Sequence, residues 1–81
     1  MTRKSLLSSL KSVLELKKCM STVAVFLEIE ITKKELLDVQ LGLLTTVEWV
    51  MLTTQVREVS QACEKLLRRW SEVLDGARGG E

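Results

Sequence analysis

Several residue types are missing from this chain of 81 residues, and each absence excludes a class of function. The chain has no His, so it lacks both an imidazole ligand for metals and the usual acid–base side chain of neutral pH. It has no Pro, Tyr or Asn, and three of its four Gly residues follow Leu74. Because Pro and Gly are the residues that interrupt helices most strongly, their scarcity indicates an all-helical domain.

Net charge and aromatic residues are also scarce. Twelve basic and eleven acidic residues leave a net charge of +1, which gives no general attraction to nucleic acid or anionic lipid. The three aromatic residues, Phe26, Trp49 and Trp70, are too few and too scattered to stack a series of bases. The longest apolar run, from Val23 to Leu27, is far too short to span a bilayer. We therefore expect neither direct nucleic-acid binding nor a membrane partner.

The remaining chemistry-bearing residues do not form a recognisable reactive site. Cys19 and Cys63 are the only thiols, and two Cys residues without His cannot complete a zinc site. Both lie among apolar neighbours, which favours free thiols in a reducing compartment. No Gly-rich phosphate loop or nucleophile motif occurs, and Ser or Cys would lack a His to activate it. We predict no enzyme activity within this chain, no cofactor and no metal.

Apolar residues, 46% of the chain, recur mostly at helical spacing. They predict an all-α fold, a compact bundle of four to five short helices with right-handed or armadillo-like packing. We expect a single domain over residues 3–75, followed by a flexible tail over 76–81. The predicted helices cover 3–18, 21–29, about 33–41, 43–52 and a last segment that ends at Gly76.

Two of these segments have a second interpretation. Alternation at Leu27, Ile29 and Ile31 would suit a strand, but no second strand exists to pair with it, so a short helix is favoured. Residues 1–14 contain three basic residues, four Ser and no acid, which is also typical of a mitochondrial presequence. A first helix of the bundle is favoured because the apolar periodicity continues through Glu15 without a break.

Local signals mark the later helices. Thr32 and Glu35 form a capping-box pattern, and Gly42 is expected to end the helix that they begin. From Val39 to Val56 the only charge is Glu48, which predicts a fourth helix buried on most sides. Thr53 or Thr54 is expected to cap the last helix. The apolar stripe of that helix is the clearest in the chain and consists of Val56, Val59, Cys63, Leu66, Leu67, Trp70, Val73 and Leu74.

The last helix also carries a family resemblance. Its order is an aliphatic residue, a small residue four positions later, a Leu pair, two basic residues and Trp, and these places are filled by Val59, Cys63, Leu66, Leu67, Arg68, Arg69 and Trp70. This order resembles the closing helix of the TFIIS N-terminal domain, or LW domain. Upstream, Ile31-Thr32, Leu36-Leu37, Leu41-Gly42 and Val47 are similar to the middle of that family.

The resemblance implies a five-helix module for protein interactions in transcription-elongation and chromatin proteins of the nucleus. Such modules bind short, acidic and hydrophobic segments of disordered partners, and some belong to larger chromatin-modifying enzymes. Thr53-Thr54-Gln55 stands where the family has a basic loop, so the groove is expected to be apolar, or occupied by another part of the parent chain. The predicted partner-binding residues are Phe26, Trp49 and Met51 as anchors, with Lys33, Lys34 and Arg57 at the rim.

Alternatives remain open at this point. Trp49 and Phe26 could instead belong to the core, as Trp70 is expected to do, and this is the commoner position because buried helices carry large aromatic residues. A different class of function is a structural subunit whose uncharged fourth helix is buried by self-association, for instance in a homodimer, or by a constant partner.

Overall fold

The computed structural model describes residues 2–76, which contain five α-helices and no strand. The helices are α1 (Arg3–Lys17), α2 (Met20–Glu28), α3 (Lys33–Leu36), α4 (Leu43–Thr53) and α5 (Arg57–Asp75). The all-helical bundle predicted from the sequence is confirmed, and the segment with strand-like alternation is the helix α2. The proposed tail beyond Gly76 lies outside the described residues.

The long α5 organises the bundle. It packs most extensively on α4 and α2, and α3 also contacts it, while α1 closes the other side against α4 and α2. Val59, Cys63, Leu66 and Trp70 of its apolar stripe are almost inaccessible to solvent, and Leu67, Val73 and Leu74 are partly buried against the core. Val56, the N-cap residue, is 48% exposed and does not belong to the buried stripe. The stripe recurs every three or four residues, which keeps it on one side of the helix. The sequence therefore placed this helix and its core face correctly.

The first helix is part of the same core. Leu7 and Leu14, two turns apart on one face of α1, are fully buried among residues of the other helices. Thr2 caps the helix by accepting a hydrogen bond from the Ser5 N–H at 3.1 Å. Residues 3–17 thus form a structural helix of the bundle, which is the interpretation that the sequence favoured.

The connection between α3 and α4 differs from the prediction. The capping box at Thr32 and Glu35 is present, but α3 ends at Leu36 rather than near Leu41. The Asp38 carboxylate accepts the Gln40 N–H at 2.9 Å, which turns the chain out of the helix. Gly42 then adopts a left-handed conformation (φ 58°) and caps the start of α4, so it begins a helix instead of ending one.

The fourth helix is not buried on most sides, and that prediction was wrong. Leu43, Thr46, Val47 and Val50 face the core. The opposite face of α4 is exposed, with residues Thr45, Glu48, Trp49, Leu52 and Thr53. Low charge in a helix therefore does not require burial on all sides when Thr residues occupy the outer face.

The cap expected for α5 is also different. Val56 occupies the N-cap position and makes no side-chain capping bond. The Thr54 hydroxyl instead accepts the Val56 N–H at 3.2 Å, one step before the helix begins. At the other end Gly76 is left-handed (φ 65°) and terminates α5 as predicted.

Candidate functional site

Trp49 is the only aromatic side chain that reaches the surface in the described part of the chain. It lies on the outer face of α4 and is 44% exposed. Leu52, one turn further along the same face, is 78% exposed. A large indole beside an exposed Leu is costly to leave in water, so this pair is the first candidate for a binding site.

Lys18 covers one face of the Trp49 ring. Its Nζ lies 4.5 Å from the ring centroid, which is a cation–π contact. Lys18 caps α1 in a left-handed conformation (φ 46°), and it is the one non-glycine residue with positive φ among those described. Such a conformation is unfavourable for a residue with a Cβ. We call Lys18, Thr45, Trp49 and Leu52 the Trp49 surface.

Phe26 does not belong to this surface. It is 1% exposed and meets the Trp70 ring edge to face, with ring centroids 6.0 Å apart. Its prediction as a partner-binding anchor is therefore wrong, because a partner cannot reach it. The alternative that Phe26 is part of the core is the correct one, and Trp70 is buried as expected.

The other predicted residues are spread over α3, α4 and α5. Met51 is half-buried against the core, and its carbonyl accepts a hydrogen bond from the Ser60 hydroxyl at 3.4 Å. Lys33 and Lys34 are exposed on α3, and Arg57 is exposed at the start of α5. In residues 2–76 the cation that stacks on Trp49 is Lys18, which sequence reasoning missed because it lies 31 positions away with no local signal.

Cys19 lies next to the Trp49 surface in sequence and has an altered thiol. Its Sγ is 3.3 Å from the Ser21 hydroxyl and 3.3 Å from the Thr22 hydroxyl. These hydrogen bonds, the Ser21 bond first, stabilise the thiolate and lower the pKa of Cys19 to about 7. Cys63 is the opposite case, since burial raises the pKa of its thiol. Both are free thiols, as the sequence predicted.

Two arginines fix the connection between α2 and α3. Arg3 donates to the Glu30 carbonyl and pairs with the Glu35 carboxylate at 2.6 Å, while Arg69 donates to the Leu27 carbonyl. They line a groove of about 610 Å³ on this side of the bundle. Because the guanidiniums bond to the backbone carbonyls of Glu30 in the loop and of Leu27 in the last turn of α2, we assign them a structural role.

The described residues offer no other obvious chemical site. A polar groove of about 470 Å³ between α1 and the residues before α4 is lined mainly by hydroxyls and by Lys4, which bonds to Gln40 at 3.0 Å. Within residues 2–76, no three His, Cys, Asp or Glu side chains are grouped to hold a metal ion. No helix in this range is long and apolar enough to cross a membrane.

Comparisons of the chain with protein-family models, curated proteins and solved structures found no match. The resemblance to the TFIIS N-terminal domain therefore stays a prediction that rests on the residues quoted above.

Proposed function

We propose that this domain is a protein-interaction module that binds a short linear segment of another protein on the Trp49 surface. The observation that carries the proposal is the half-exposed Trp49 with Lys18 stacked on its ring. Trp residues are strongly enriched among the side chains that dominate binding energy at protein interfaces.

The cost of this arrangement supports a role for it. Exposing an indole forgoes the stabilisation that burial would give, and Lys18 occupies a backbone conformation that Gly would adopt more easily. Neither feature is needed for the core, which Trp70 and Phe26 already fill. Unfavourable local conformations that a fold retains are often found at functional sites.

The chemistry of the surface specifies the segment that it would bind. An apolar side chain fits against Trp49 and Leu52, and a neighbouring carboxylate can pair with the Lys18 ammonium without breaking its contact with the ring. The partner is therefore a segment with an apolar residue close to an acidic one. A basic group is supplied here by α1, although the loop before α5 has none.

The biological setting follows only from the family resemblance. It places the domain in a nuclear transcription-elongation or chromatin protein, where such modules bind disordered segments of partners or of their own parent chain. The domain itself is then not an enzyme, although some modules that it resembles belong to larger chromatin-modifying enzymes. These assignments are part of the proposal.

Selection from a library of displayed peptides would test the binding function. Peptides retained by the wild-type domain but not by the Trp49→Ala variant would be measured by fluorescence anisotropy. We expect Kd to increase about tenfold or more in Trp49→Ala, since central aromatic residues often contribute that much. Val56→Ala truncates another half-exposed apolar side chain that is not part of the Trp49 surface; it is the matched control and should leave Kd unchanged.

Two results would contradict the proposal. One is a selection in which no peptide depends on Trp49 although circular dichroism shows the variant to be folded. The other is sedimentation of the wild-type chain as a dimer that Leu52→Glu dissociates, which would favour the structural subunit that self-associates through α4.

A further inference from the structure

Glu48 is an exposed carboxylate beside the Trp49 surface, and it is the one charged residue between Val39 and Val56. Within α4 a cation three or four positions away could pair with it, but those positions hold Leu, Thr and Met. It also lies beyond the first turn of α4, which is the part of a helix whose dipole favours a carboxylate. Among residues 2–76 it makes no ion pair. In the described part of the chain, the fold therefore gives this charge no stabilising partner.

The helical geometry of α4 places Glu48 at the border of the Trp49 surface. At 100° per residue, Leu52 lies about 60° around the helix from Trp49, and Glu48 lies about 40° further in the same direction. Lys18 stacks on the Trp49 ring but forms no ion pair with Glu48, so the two charges do not neutralise each other. The apolar pair of Trp49 and Leu52 is thus bordered by a cation and by an anion that are not paired together.

These two charges attract opposite groups of a ligand. A carboxylate pairs with the Lys18 ammonium, as proposed above, whereas the same group near Glu48 would be repelled. A basic side chain has the reverse preference. Because α4 with its side chains is only about 10–12 Å across and an extended segment advances about 3.3 Å per residue, both groups would lie within about three residues of the apolar side chain on Trp49. A segment with acidic residues alone would satisfy Lys18 but not Glu48.

We propose that Glu48 determines which segments the Trp49 surface accepts, by selecting a basic residue near the apolar one in addition to the acidic residue. This inference rests on the proposed function, because it concerns a ligand of the same surface. It narrows the partner from an acidic and apolar segment to one in which both an acid and a base accompany the apolar side chain. Specific interfaces commonly combine attraction of the right charge with repulsion of the wrong one.

The size of this surface favours a short segment over a second copy of the chain. A second copy would also bring both charges, in a symmetric arrangement. However, α4 has 11 residues, so its outer face is about 16 Å long and about 10 Å wide. A stable interface between folded proteins buries about 800 Å² on each partner, which is several times the area of this face. An extended segment of about five residues matches its length.

The displayed-peptide selection tests the proposal when it is repeated on the Glu48→Lys variant. Peptides that bind the wild-type domain in a Trp49-dependent manner should carry a basic residue within about three positions of the apolar one. Peptides retained by Glu48→Lys should carry an acidic residue there instead. One wild-type peptide is then synthesised with Lys and with Glu at that position. In fluorescence anisotropy the wild-type domain should bind the Lys form about fivefold or more tightly than the Glu form, and Glu48→Lys should reverse this order.

Glu28→Lys is the matched control, because it makes the same change of charge at an exposed Glu of α2, outside the Trp49 surface. It should leave the preference for the Lys form unchanged. The proposal is overturned if both variants change the preference equally, since net charge would then be the cause.

The remaining outcomes separate this proposal from the proposed function. Trp49-dependent peptides without any preference for a basic residue would overturn the role of Glu48 and leave the binding function intact. A selection without Trp49-dependent peptides would overturn both. Sedimentation of the wild-type chain as a dimer that Glu48→Lys dissociates would also overturn the proposal, because Glu48 would then belong to an interface between two copies.

Discussion

Trp70 and Phe26 meet edge to face in the core, with their ring planes at 89°. Because Trp70 is 2% exposed, Trp70→Ala should lower the free energy of unfolding by about 3–5 kcal/mol. Urea unfolding followed by circular dichroism measures the loss, and Trp70→Phe, which keeps a ring, should lose less. Trp49→Ala should cost only about 1 kcal/mol, since it removes a half-exposed ring and a cation–π contact. Similar losses at both Trp positions would contradict the packing.

Lys18 couples a backbone conformation to a side-chain contact. Lys18→Gly relieves the left-handed conformation, which is worth about 1 kcal/mol, but removes the contact with Trp49, which is worth about 0.5–1 kcal/mol. We therefore expect little net change in wild-type stability. In the Trp49→Ala background there is no contact to lose, so the same substitution should stabilise the domain by about 1 kcal/mol. Equal effects in the two backgrounds would mean that Lys18 and Trp49 do not interact.

Cys19 should be the reactive thiol of the pair. The thiolate is the nucleophile, and the pKa of Cys19 is about 7, so alkylation by iodoacetamide should reach half its maximal rate near pH 7. Ser21→Ala removes the main hydrogen bond to Sγ and should move this midpoint to higher pH. Measurements in a Cys63→Ser background isolate the signal, and Cys63 itself should react only on unfolding because it is buried. A midpoint that Ser21→Ala does not move would contradict the role of the hydroxyl.

The aromatic residues show where sequence reasoning stops at this scale. Trp70 ends a regular apolar stripe, so its burial could be predicted. Phe26 and Trp49 each lie in a short helix with few charges, where several faces look equally apolar. Their environments depend on which neighbour covers each face: Trp70 covers Phe26, and a Lys18 side chain from another helix half-covers Trp49.

At the level of elements, the capping box should make stability depend on pH. Partial burial acts to raise the pKa of Glu35, but the Thr32 N–H and the Arg3 guanidinium outweigh it and hold that pKa below its usual range. Because the pKa of Glu35 is lower in the folded than in the unfolded state, its ionised carboxylate stabilises the fold at pH values above the unfolded pKa of about 4.3. This stabilisation is lost as the pH falls through the lower pKa of the folded state. Glu35→Gln should therefore flatten the decline in Tm between about pH 6 and 3. Thr32→Ala removes the hydroxyl that accepts the Glu35 N–H, so it should lower the free energy of unfolding by about 1 kcal/mol at neutral pH. A decline as steep in Glu35→Gln as in the wild type would exclude Glu35 as its source.

The same capping box explains how far the elements could be predicted. Its pattern correctly located the start of α3, because the bonds are local to residues 32–35. The end of α3 could not be read from Gly42, since Asp38 turns the chain earlier through a bond to the Gln40 N–H. The exposed face of α4 was also missed, because its Thr residues suit either a buried or an exposed position. Helices with a long stripe, such as α5, were placed well.

At the scale of the whole molecule, α1 is basic and carries an exposed apolar row, yet it also supplies part of the core. These roles are compatible because Leu7 and Leu14 face inward, while Leu6, Val13 and Leu16, together with Lys17, are exposed to solvent. The presequence-like composition of residues 1–14 therefore has a structural explanation. It reflects a helix whose apolar residues serve two faces and whose net charge opposes that of the rest of the chain.

A matched pair of substitutions in α1 tests this account. Leu14 is fully buried, so Leu14→Ala should lower the free energy of unfolding by about 2–5 kcal/mol. Leu16 is 84% exposed, so Leu16→Ala should lower it by less than about 0.5 kcal/mol. For a domain of this size, the first loss corresponds to a fall in Tm of at least about 10 °C, which calorimetry would resolve. The two positions are two residues apart and undergo the same chemical change, so helix propensity cancels from the comparison. If Leu14→Ala were as harmless as Leu16→Ala, α1 would be dispensable for the bundle, and a removable leader would again be the better explanation of these residues.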